Sequence, residues 1–295
     1  MSKNALIRII LWSIVLILLL GILIAGIGFG NLFSRSIRNW DSEDPSVSTD
    51  WNGGEATSSC EFAADDIHNL KVEWVSGKII LQPDDTAETI RVMESGNSDS
   101  KYQMVCRRSG STLSIQFCKD SISFPSFGIS LGAELNKDLT ILVPSDWICE
   151  ELEIDTAAAD LQIRDMTIRE VDFDGASGTC EFVNCTVDNL NMDTASGDVR
   201  FQGTLRTLDF DAASASFYGE LVNTPRSMDM DGASGNLELV LPADAGFTVN
   251  LDGMSCDFTS DFAVETRNGS YVCGDGSCRI SVDGMSTDVI IRKAQ

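Results

Sequence analysis

The chain has 295 residues, 43% of them hydrophobic, and its 45 acidic side chains outnumber 21 basic ones to give a formal net charge of −24. So large a negative excess repels nucleic acid and anionic lipid headgroups, which argues against both as ligands of the folded part. The single histidine, His68, leaves almost no route to a histidine general base or a multi-histidine metal site.

The N-terminal end of the chain has the pattern of a membrane anchor. Residues 9–29 (IILWSIVLILLLGILIAGIGF) carry no charge, and a helix of this length spans about 30 Å, the thickness of bilayer hydrocarbon. A cleaved signal peptide would have a shorter apolar core and a clear small-x-small site. The segment therefore predicts one uncleaved, single-pass transmembrane helix in the cell membrane.

Basic residues are nearly balanced across this segment, so orientation depends on its flanks. Residues 1–8 form a short tail, whereas everything after the segment is long and acidic. We expect the tail in the cytoplasm and the folded domain outside it. Residues 30–64, rich in Ser, Asp and Gly, predict a polar acidic linker.

One short motif recurs through the rest of the chain. Its copies begin at an acidic residue and are EWVSGK at 73, DTAAAD at 155, DGASGT at 174, DTASGD at 193, DAASAS at 211, DGASGN at 231, DGMSCD at 252 and DGMSTD at 283. From Asp155 the spacings are 19, 19, 18, 20, 21 and 31 residues. Alternating apolar residues flank most copies on both sides, which predicts a strand before the motif and a strand after it, each with one buried face.

Each unit is thus a strand, a tight bend, a second strand and a short return. A unit of about 19 residues cannot bury its apolar side alone, but stacked units share one core and backbone hydrogen bonds about 4.8 Å apart. The predicted fold class is all-β, a single-chain β-solenoid (β-helix). We expect Ala176, Ala195, Ala213 and Ala233, at the centres of four motif copies, to line up inside the common interior.

Two regions interrupt the period. Residues 84–149 contain the strand-like runs ETIRVME, YQMVCRR, TLSIQF and DLTILVP, which predict larger sheets or long coils at the N-terminal end. The last spacing predicts an excursion over about residues 260–279, with the sequence CGDGSC in it. Insertions of this kind lie on the surface of repeat proteins and often carry recognition.

Nine cysteines, an odd number without any CxxC pair, give no support to a zinc ribbon or a thioredoxin-like site. Cys273 and Cys278 are close enough in sequence to close a tight disulfide loop. The favoured interpretation is that most cysteines are small buried hydrophobic residues.

The pattern resembles the DUF4097 "putative adhesin" family of bacterial β-strand-repeat proteins over about residues 65–295. The resemblance rests on motif copies such as LNMDTASGDVRF, on the strands LTILVP and LELVLP, and on the closing GDGSCRISVDGMSTDVIIRK. The Met-Ser-Cys and Met-Ser-Thr forms of the last copies depart from it. It implies a β-helical domain, often on a membrane anchor, with an adhesion-like or envelope-stress role and no catalytic residues to transfer.

The aspartates that open the motif are the sharpest candidate for chemistry. Stacked in register, Asp155, Asp174, Asp193, Asp211, Asp231, Asp252 and Asp283 would form a carboxylate ladder able to supply calcium ligands. The favoured alternative is that each Asp accepts hydrogen bonds from the backbone N–H groups of its own bend. The serines repeated in every copy indicate bend geometry and not a nucleophile, which would need a base in reach.

These observations predict no catalytic residue, no cofactor-binding residue, no metal site and no enzymatic activity. We expect a non-catalytic, membrane-anchored extracytoplasmic module that binds an unknown surface ligand or envelope protein. The alternative is a cell-envelope stress sensor or regulator that binds cationic envelope-active compounds or a partner membrane protein. A carbohydrate-active enzyme is a weaker third hypothesis.

Overall fold

The computed structural model describes residues 57–96, 102–118 and 136–294. Strands dominate these three segments, and one turn of 3-10 helix, Ala64–Asp66, is the only helical element in them. The strands are β1 (Ser59–Ala63), β2 (Asn69–Asp84), β3 (Thr89–Ser95), β4 (Val105–Ser109), β5 (Thr112–Gln116), β6 (Asp138–Pro144), β7 (Ile148–Arg164), β8 (Thr167–Gly175), β9 (Cys180–Leu221), β10 (Ser227–Leu241), β11 (Phe247–Gly253), β12 (Phe258–Ser260), β13 (Glu265–Arg267), β14 (Ser270–Cys273) and β15 (Cys278–Lys293). The all-β prediction is confirmed.

The predicted tail (1–8), the anchor (9–29) and all of the linker up to residue 56 lie outside the described residues. In the segments that are described, no helix has the length and apolar character needed to cross a membrane.

Successive repeats pair as parallel strands in register, as the motif spacing predicts. β7 pairs with β8 so that Asp155 lies opposite Asp174, and β8 pairs with β9 so that Asp174 lies opposite Asp193. Farther along the stack, β9 and β10 place Asp211 opposite Asp231. Each repeat therefore forms one layer of the stack, which we call a rung, and equivalent motif positions form columns.

The core consists of the alternating apolar residues on either side of the bend. Leu190 and Met192 before one bend, and Val199 and Phe201 after it, are at most 2% exposed. Burying each such side chain contributes about 1.5–3 kcal/mol. These positions confirm the strand pattern on both sides of the motif.

The prediction that the central alanines line the interior is wrong. Ala176, Ala195 and Ala213 are exposed and Ala233 is partly exposed, although they do stack in one column. The alternation of strand side chains continues into the motif, so that Phe173 points in, Asp174 out, the next residue in and Ala176 out. The residue before the alanine is buried in three of these repeats (Gly175, Thr194 and Ala212) and half-buried in the fourth (Gly232).

The bend itself needs glycine where rungs approach most closely. Gly197 has a φ of 124°, and a Cβ on it would lie 1.9 Å from the carbonyl oxygen of Gly178 in the next rung. Gly178 repeats this arrangement, with a φ of 130° and a Cβ position 2.3 Å from the oxygen of Ala159. The motif therefore has glycine here for both backbone conformation and space.

The order of rungs departs from chain order at both ends of the stack. At the C-terminal end β15 lies between β10 and β11, with Asp283 opposite both Asp231 and Asp252. The repeat of Asp252 is thus the outermost rung. The predicted excursion forms the antiparallel hairpin β13–β14, which pairs with the free edge of β11.

The N-terminal end is built the same way. β2 carries the first motif copy but pairs with β7 on one edge and with β5 and β6 on the other, so β5 and β6 form the outer rung. β4 covers β5, β3 covers β6, and β1 pairs with β3, all antiparallel. A disulfide between Cys60 and Cys106 joins β1 to β4. The four runs predicted as strands in residues 84–149 are confirmed.

A buried ion pair fixes the interior of this N-terminal cap. The side chains of Lys137 and Glu94 are 0% and 3% exposed and form a salt bridge. The Lys137 ammonium also donates to the carbonyl oxygens of Tyr102 and Phe117 and lies 4.1 Å from the centre of the Phe117 ring. Burial lowers the pKa of Lys137, against the raising effect of Glu94.

Seven cysteines are free in the described segments, six of them buried, and Cys273 and Cys278 are both among the buried ones. The interpretation of most cysteines as small hydrophobic residues is confirmed. The Cys60–Cys106 bond joins residues 46 positions apart and was not predicted.

Candidate functional site: an acidic face on the stacked strands

The outward side of the strands before the bend carries two adjacent columns of mostly acidic side chains, which we call the acidic face. One column is, in stack order, Glu73, Asp155, Asp174, Asp193, Asp211, Asp231, Asp283 and Asp252. The other, two residues earlier in each strand, is Lys71, Glu153, Asp172, Asn191, Asp209, Asp229, Ser281 and Asn250.

The two columns hold twelve carboxylates and one basic residue on eight rungs. Because neighbouring rungs are about 4.8 Å apart, each of the six inner members of the first column has a carboxylate on the rung above it and on the rung below it. The predicted ladder of aspartates is therefore present, and the second column adds four carboxylates and one lysine to its eight carboxylates.

Partial burial and repulsion between neighbouring carboxylates raise the pKa of several aspartates in the column. Burial raises the pKa of Asp174, Asp193 and Asp211, and in each case a neighbouring carboxylate of the face raises it further. Asp174 and Asp193 are close enough for a side-chain hydrogen bond through a shared proton. Burial and the neighbouring carboxylates thus both favour the protonated form of these aspartates.

Two carboxyl groups are buried beside each other at the N-terminal end of the column. Glu73 and Asp155 lie opposite each other on adjacent rungs, and each is only 6% exposed. Glu73 Oε1 and Asp155 Oδ2 have no hydrogen-bond partner. The nearest base, Lys71, pairs with Glu153 at 2.7 Å and with neither of them.

Burial is the main reason that the pKa of Asp155 rises to about 7, with Glu153 as the next cause. Burial also raises the pKa of Glu73, which Lys71 partly offsets. This buried pair could not be predicted from the sequence, because the exposure of a side chain at one end of a column depends on the neighbouring rungs.

The favoured role of the first-position aspartates as acceptors for their own bend is wrong for the repeats described here. In the first of the regular repeats the bend N–H of Ala159 donates to Thr156 Oγ1 at 3.1 Å, and Asp155 Oδ2 accepts nothing. The aspartate at the end of the motif makes the backbone contact instead, since the N–H of Thr179 donates to Asp160 Oδ1 at 2.8 Å. The six aspartates of the column from Asp174 onward are exposed to solvent, whereas Glu73 and Asp155 are buried.

The calcium alternative requires several oxygens converging on one point. Across the described ranges, no group of three or more His, Cys, Asp or Glu side chains is arranged to hold a metal ion. A column presents carboxylates side by side and not around a centre, which suits an extended cationic ligand better than a single ion.

The repeated serines face the neighbouring rung. Ser177 Oγ and Ser196 Oγ each lie 3.4 Å from a carbonyl oxygen one rung away, and Ser234 Oγ is 3.2 Å from Ser214 Oγ. These contacts join rungs at the bend, as the interpretation of the serines as a geometric feature predicts.

The family comparison covers most of this architecture. The model of the Toastrack DUF4097 family matches residues 65–292. The chain belongs to the Toastrack DUF4097 family. The match takes in every rung described above, so the resemblance read from the motif copies is confirmed. Among curated proteins, none matches the chain in sequence.

Solved structures similar to this Toastrack chain are distant. A "putative adhesin" from Bacteroides fragilis is 12% identical with a TM-score of 0.46, and the match covers 81% of this chain and 100% of that one. A "putative cell adhesion protein" from Clostridium sporogenes is 10% identical with a TM-score of 0.35, covering 80% and 98%. A "putative lipid binding protein" from Parabacteroides distasonis is 16% identical with a TM-score of 0.31, covering 80% and 96%.

Proposed function

We propose that this Toastrack protein is a non-catalytic, membrane-anchored surface-binding module whose β-solenoid presents the acidic face to a polycationic partner, such as a basic segment of an envelope protein. The observation that carries the proposal is the pair of in-register columns with twelve carboxylates and one base. Regular rungs give such a face rigidity, which lowers the entropy lost when a long partner binds.

Two observations support an extracytoplasmic location on a single-pass anchor. The uncharged segment 9–29 is long enough to span the hydrocarbon core. The Cys60–Cys106 disulfide is typical of oxidising compartments outside the cytoplasm. Protease added to intact cells should then degrade the Toastrack domain, whereas a cytoplasmic domain would be protected.

The binding experiment uses the full chain in detergent and a labelled oligolysine, with oligoglutamate as the probe of opposite charge. We expect saturable binding of oligolysine that weakens as salt rises, because screening shortens the reach of surface charges. The test variant changes Asp174, Asp193 and Asp211 to Asn. At about 0.5 kcal/mol per lost ion contact, it should bind about tenfold more weakly.

The matched control changes the same amount of charge elsewhere. Asp146, Asp244 and Asp257 are exposed and lie outside the acidic face. Their replacement by Asn removes three negative charges, the same number as the test variant. If both triple variants lose affinity to the same extent, binding follows net charge and the acidic face is not the site. Equal binding of oligoglutamate would refute the proposal outright.

The sensor hypothesis requires the same face but a different consequence, namely that a soluble cationic compound displaces a membrane partner. The density of carboxylates on the acidic face is the observation behind this second candidate, since the face would attract a soluble cationic compound as well as a basic segment of a protein. Crosslinking of the full chain in membranes, with and without added oligolysine, distinguishes the two. An adhesion module keeps its neighbours, whereas a sensor exchanges them.

A further inference from the structure

A second surface lies on the strands that follow the bend, on a different side of each rung from the acidic face. There a shallow groove of about 300 Å³ spans five rungs. Its rim side chains include Glu181, Arg200, Gln202, Tyr218, Glu220 and Glu238. None of these residues belongs to a motif copy, and none has a role in the acidic face.

An aromatic ring and a guanidinium form the centre of the groove. Tyr218 is half-buried, and the guanidinium carbon of the exposed Arg200 lies 5.4 Å from the centre of its ring. Phe201 and Leu239 lie beneath the groove with their side chains buried in the core, so the outward side chains form its walls. An aromatic face next to planar polar groups is the usual composition of a small-molecule site.

The rim supplies paired donors and acceptors on successive rungs. Gln202 Nε2 lies 3.4 Å from Glu220 Oε2, and Arg292 Nη2 lies 3.8 Å from Glu238 Oε2. Such amide–carboxylate and guanidinium–carboxylate pairs offer a hydroxyl group both a donor and an acceptor. The second pair lies two rungs along the stack from the first, so at about 4.8 Å per rung the pairs are about 10 Å apart and would contact different sugars of one chain.

The charges of the groove select among ligand classes. Glu181, Glu220 and Glu238 balance Arg200 and Arg292 to within one charge. Phosphates and acidic polymers would meet a carboxylate at each end of the groove, and a polycation would meet two guanidinium groups. A neutral, hydroxyl-rich ligand with an apolar ring face meets neither penalty.

We infer that this groove binds a neutral oligosaccharide, with one sugar ring stacked on the Tyr218–Arg200 platform and the hydroxyl groups of adjacent sugars bonded to the Gln202–Glu220 and Arg292–Glu238 pairs. The inference is independent of the proposed partner of the acidic face. It adds a second, chemically different ligand to the same rigid stack, on a face about which the family name says nothing.

The experiment titrates the full chain in detergent with cellotetraose, chitotetraose and maltotetraose, and with tetragalacturonate as an acidic comparator. We expect at least one neutral tetrasaccharide to bind with a Kd of about 0.1–1 mM. Calorimetry or the tyrosine signals in NMR would measure this binding. Tetragalacturonate should bind more weakly than that sugar. Absence of saturable binding by all three neutral sugars, or preference for the acidic one, would overturn the inference.

Variants identify the platform. Tyr218→Ala should weaken binding at least tenfold, whereas Tyr218→Phe keeps the ring and should stay within a few-fold of the parent. Gln82→Ala, at a half-buried position on the strand after an earlier bend and outside the groove, is the control. Sugar affinity that is unchanged by Tyr218→Ala would place the site elsewhere and refute the assignment. The acidic-face triple variant should bind the sugar normally, so failure of one proposal leaves the other testable.

Discussion

The buried carboxyl group of Asp155 should make folding stability depend on pH in a direction opposite to that of an ordinary ion-paired aspartate. Its pKa is raised from 3.8 to about 7 in the folded chain, chiefly by burial. Below pH 3.8 the group is protonated in both the folded and unfolded states and costs nothing. As pH rises toward 7, the unfolded chain ionises first, so the free energy of unfolding falls.

The size of the effect follows from the shift. Each pKa unit corresponds to about 1.4 kcal/mol, so a rise from 3.8 to about 7 costs about 4 kcal/mol once the pH is above 7. Asp155→Asn removes this ionisation and places an amide donor beside Glu73, whose Oε1 otherwise has no hydrogen-bond partner. The variant should therefore gain stability relative to the parent as the pH rises.

Urea unfolding of the full chain at pH 4, 6 and 8, followed by circular dichroism, measures this gain. The stability difference between Asp155→Asn and the parent should be about 4 kcal/mol larger at pH 8 than at pH 4. Asp283→Asn, in the same column but exposed, should change stability by only about 0.5 kcal/mol at each pH. A difference for Asp155→Asn that stays constant across this pH range would show that its carboxyl group titrates normally, and the reasoning from burial would fail.

Three further predictions concern the stack and its cap, and each is read from urea unfolding. Gly197→Ala should lower the free energy of unfolding by at least about 3 kcal/mol, because of its positive φ and its contact with the next rung. Gly269→Ala, with a φ of 88° and nothing within 4 Å of its Cβ position, should lower it by only about 1 kcal/mol. Equal losses of stability in the two variants would mean that the rungs do not approach closely at Gly197. Cys60→Ser should cost about 2–4 kcal/mol, and reductant should destabilise the parent but not this variant. Lys137→Met should cost about 3–5 kcal/mol because Glu94 stays buried without a counter-ion, and adding Glu94→Gln should restore part of the loss; no recovery would argue against the pair.

The sequence was sufficient for the repeat unit because its signals are local. Alternation at residues such as Leu190, Met192, Val199 and Phe201 is fixed by the geometry of a strand, whatever the neighbouring rungs are. The alanines were predicted to face the interior because the motif was interpreted as a bend that starts at its first residue. In the structure the alternation of strand side chains continues through Asp174 and Gly175, so that Ala176 faces outward. A one-residue error in where the strand ends is enough to exchange inside for outside.

Features that depend on contacts between rungs could not be read in advance. Arg200 and Tyr218 are 18 positions apart and meet only because their rungs are adjacent. The exposure of Glu73 and Asp155 likewise depends on what covers the first rungs, although both are ordinary members of the acidic column in sequence. The sequence of a single repeat does not show which of its side chains will contact the neighbouring rung. Sites formed between rungs can therefore be identified only from the structure.

The order of rungs at the two ends has a physical reason that links the fold to the faces it presents. An open end of a parallel stack exposes unpaired backbone groups, which invites further strands to add. In this chain β2 and β15, which carry the first and last motif copies, are each paired on both edges, and the outer rungs come from segments inside the sequence that continue into antiparallel covering strands. Neither terminal repeat of the domain can therefore fray without breaking two sets of hydrogen bonds. At the C-terminal end the covering hairpin β13–β14 also contacts the edge of the acidic face, where Ser270 Oγ of β14 donates to Asn250 Oδ1, so the last rung is held by side-chain as well as backbone contacts.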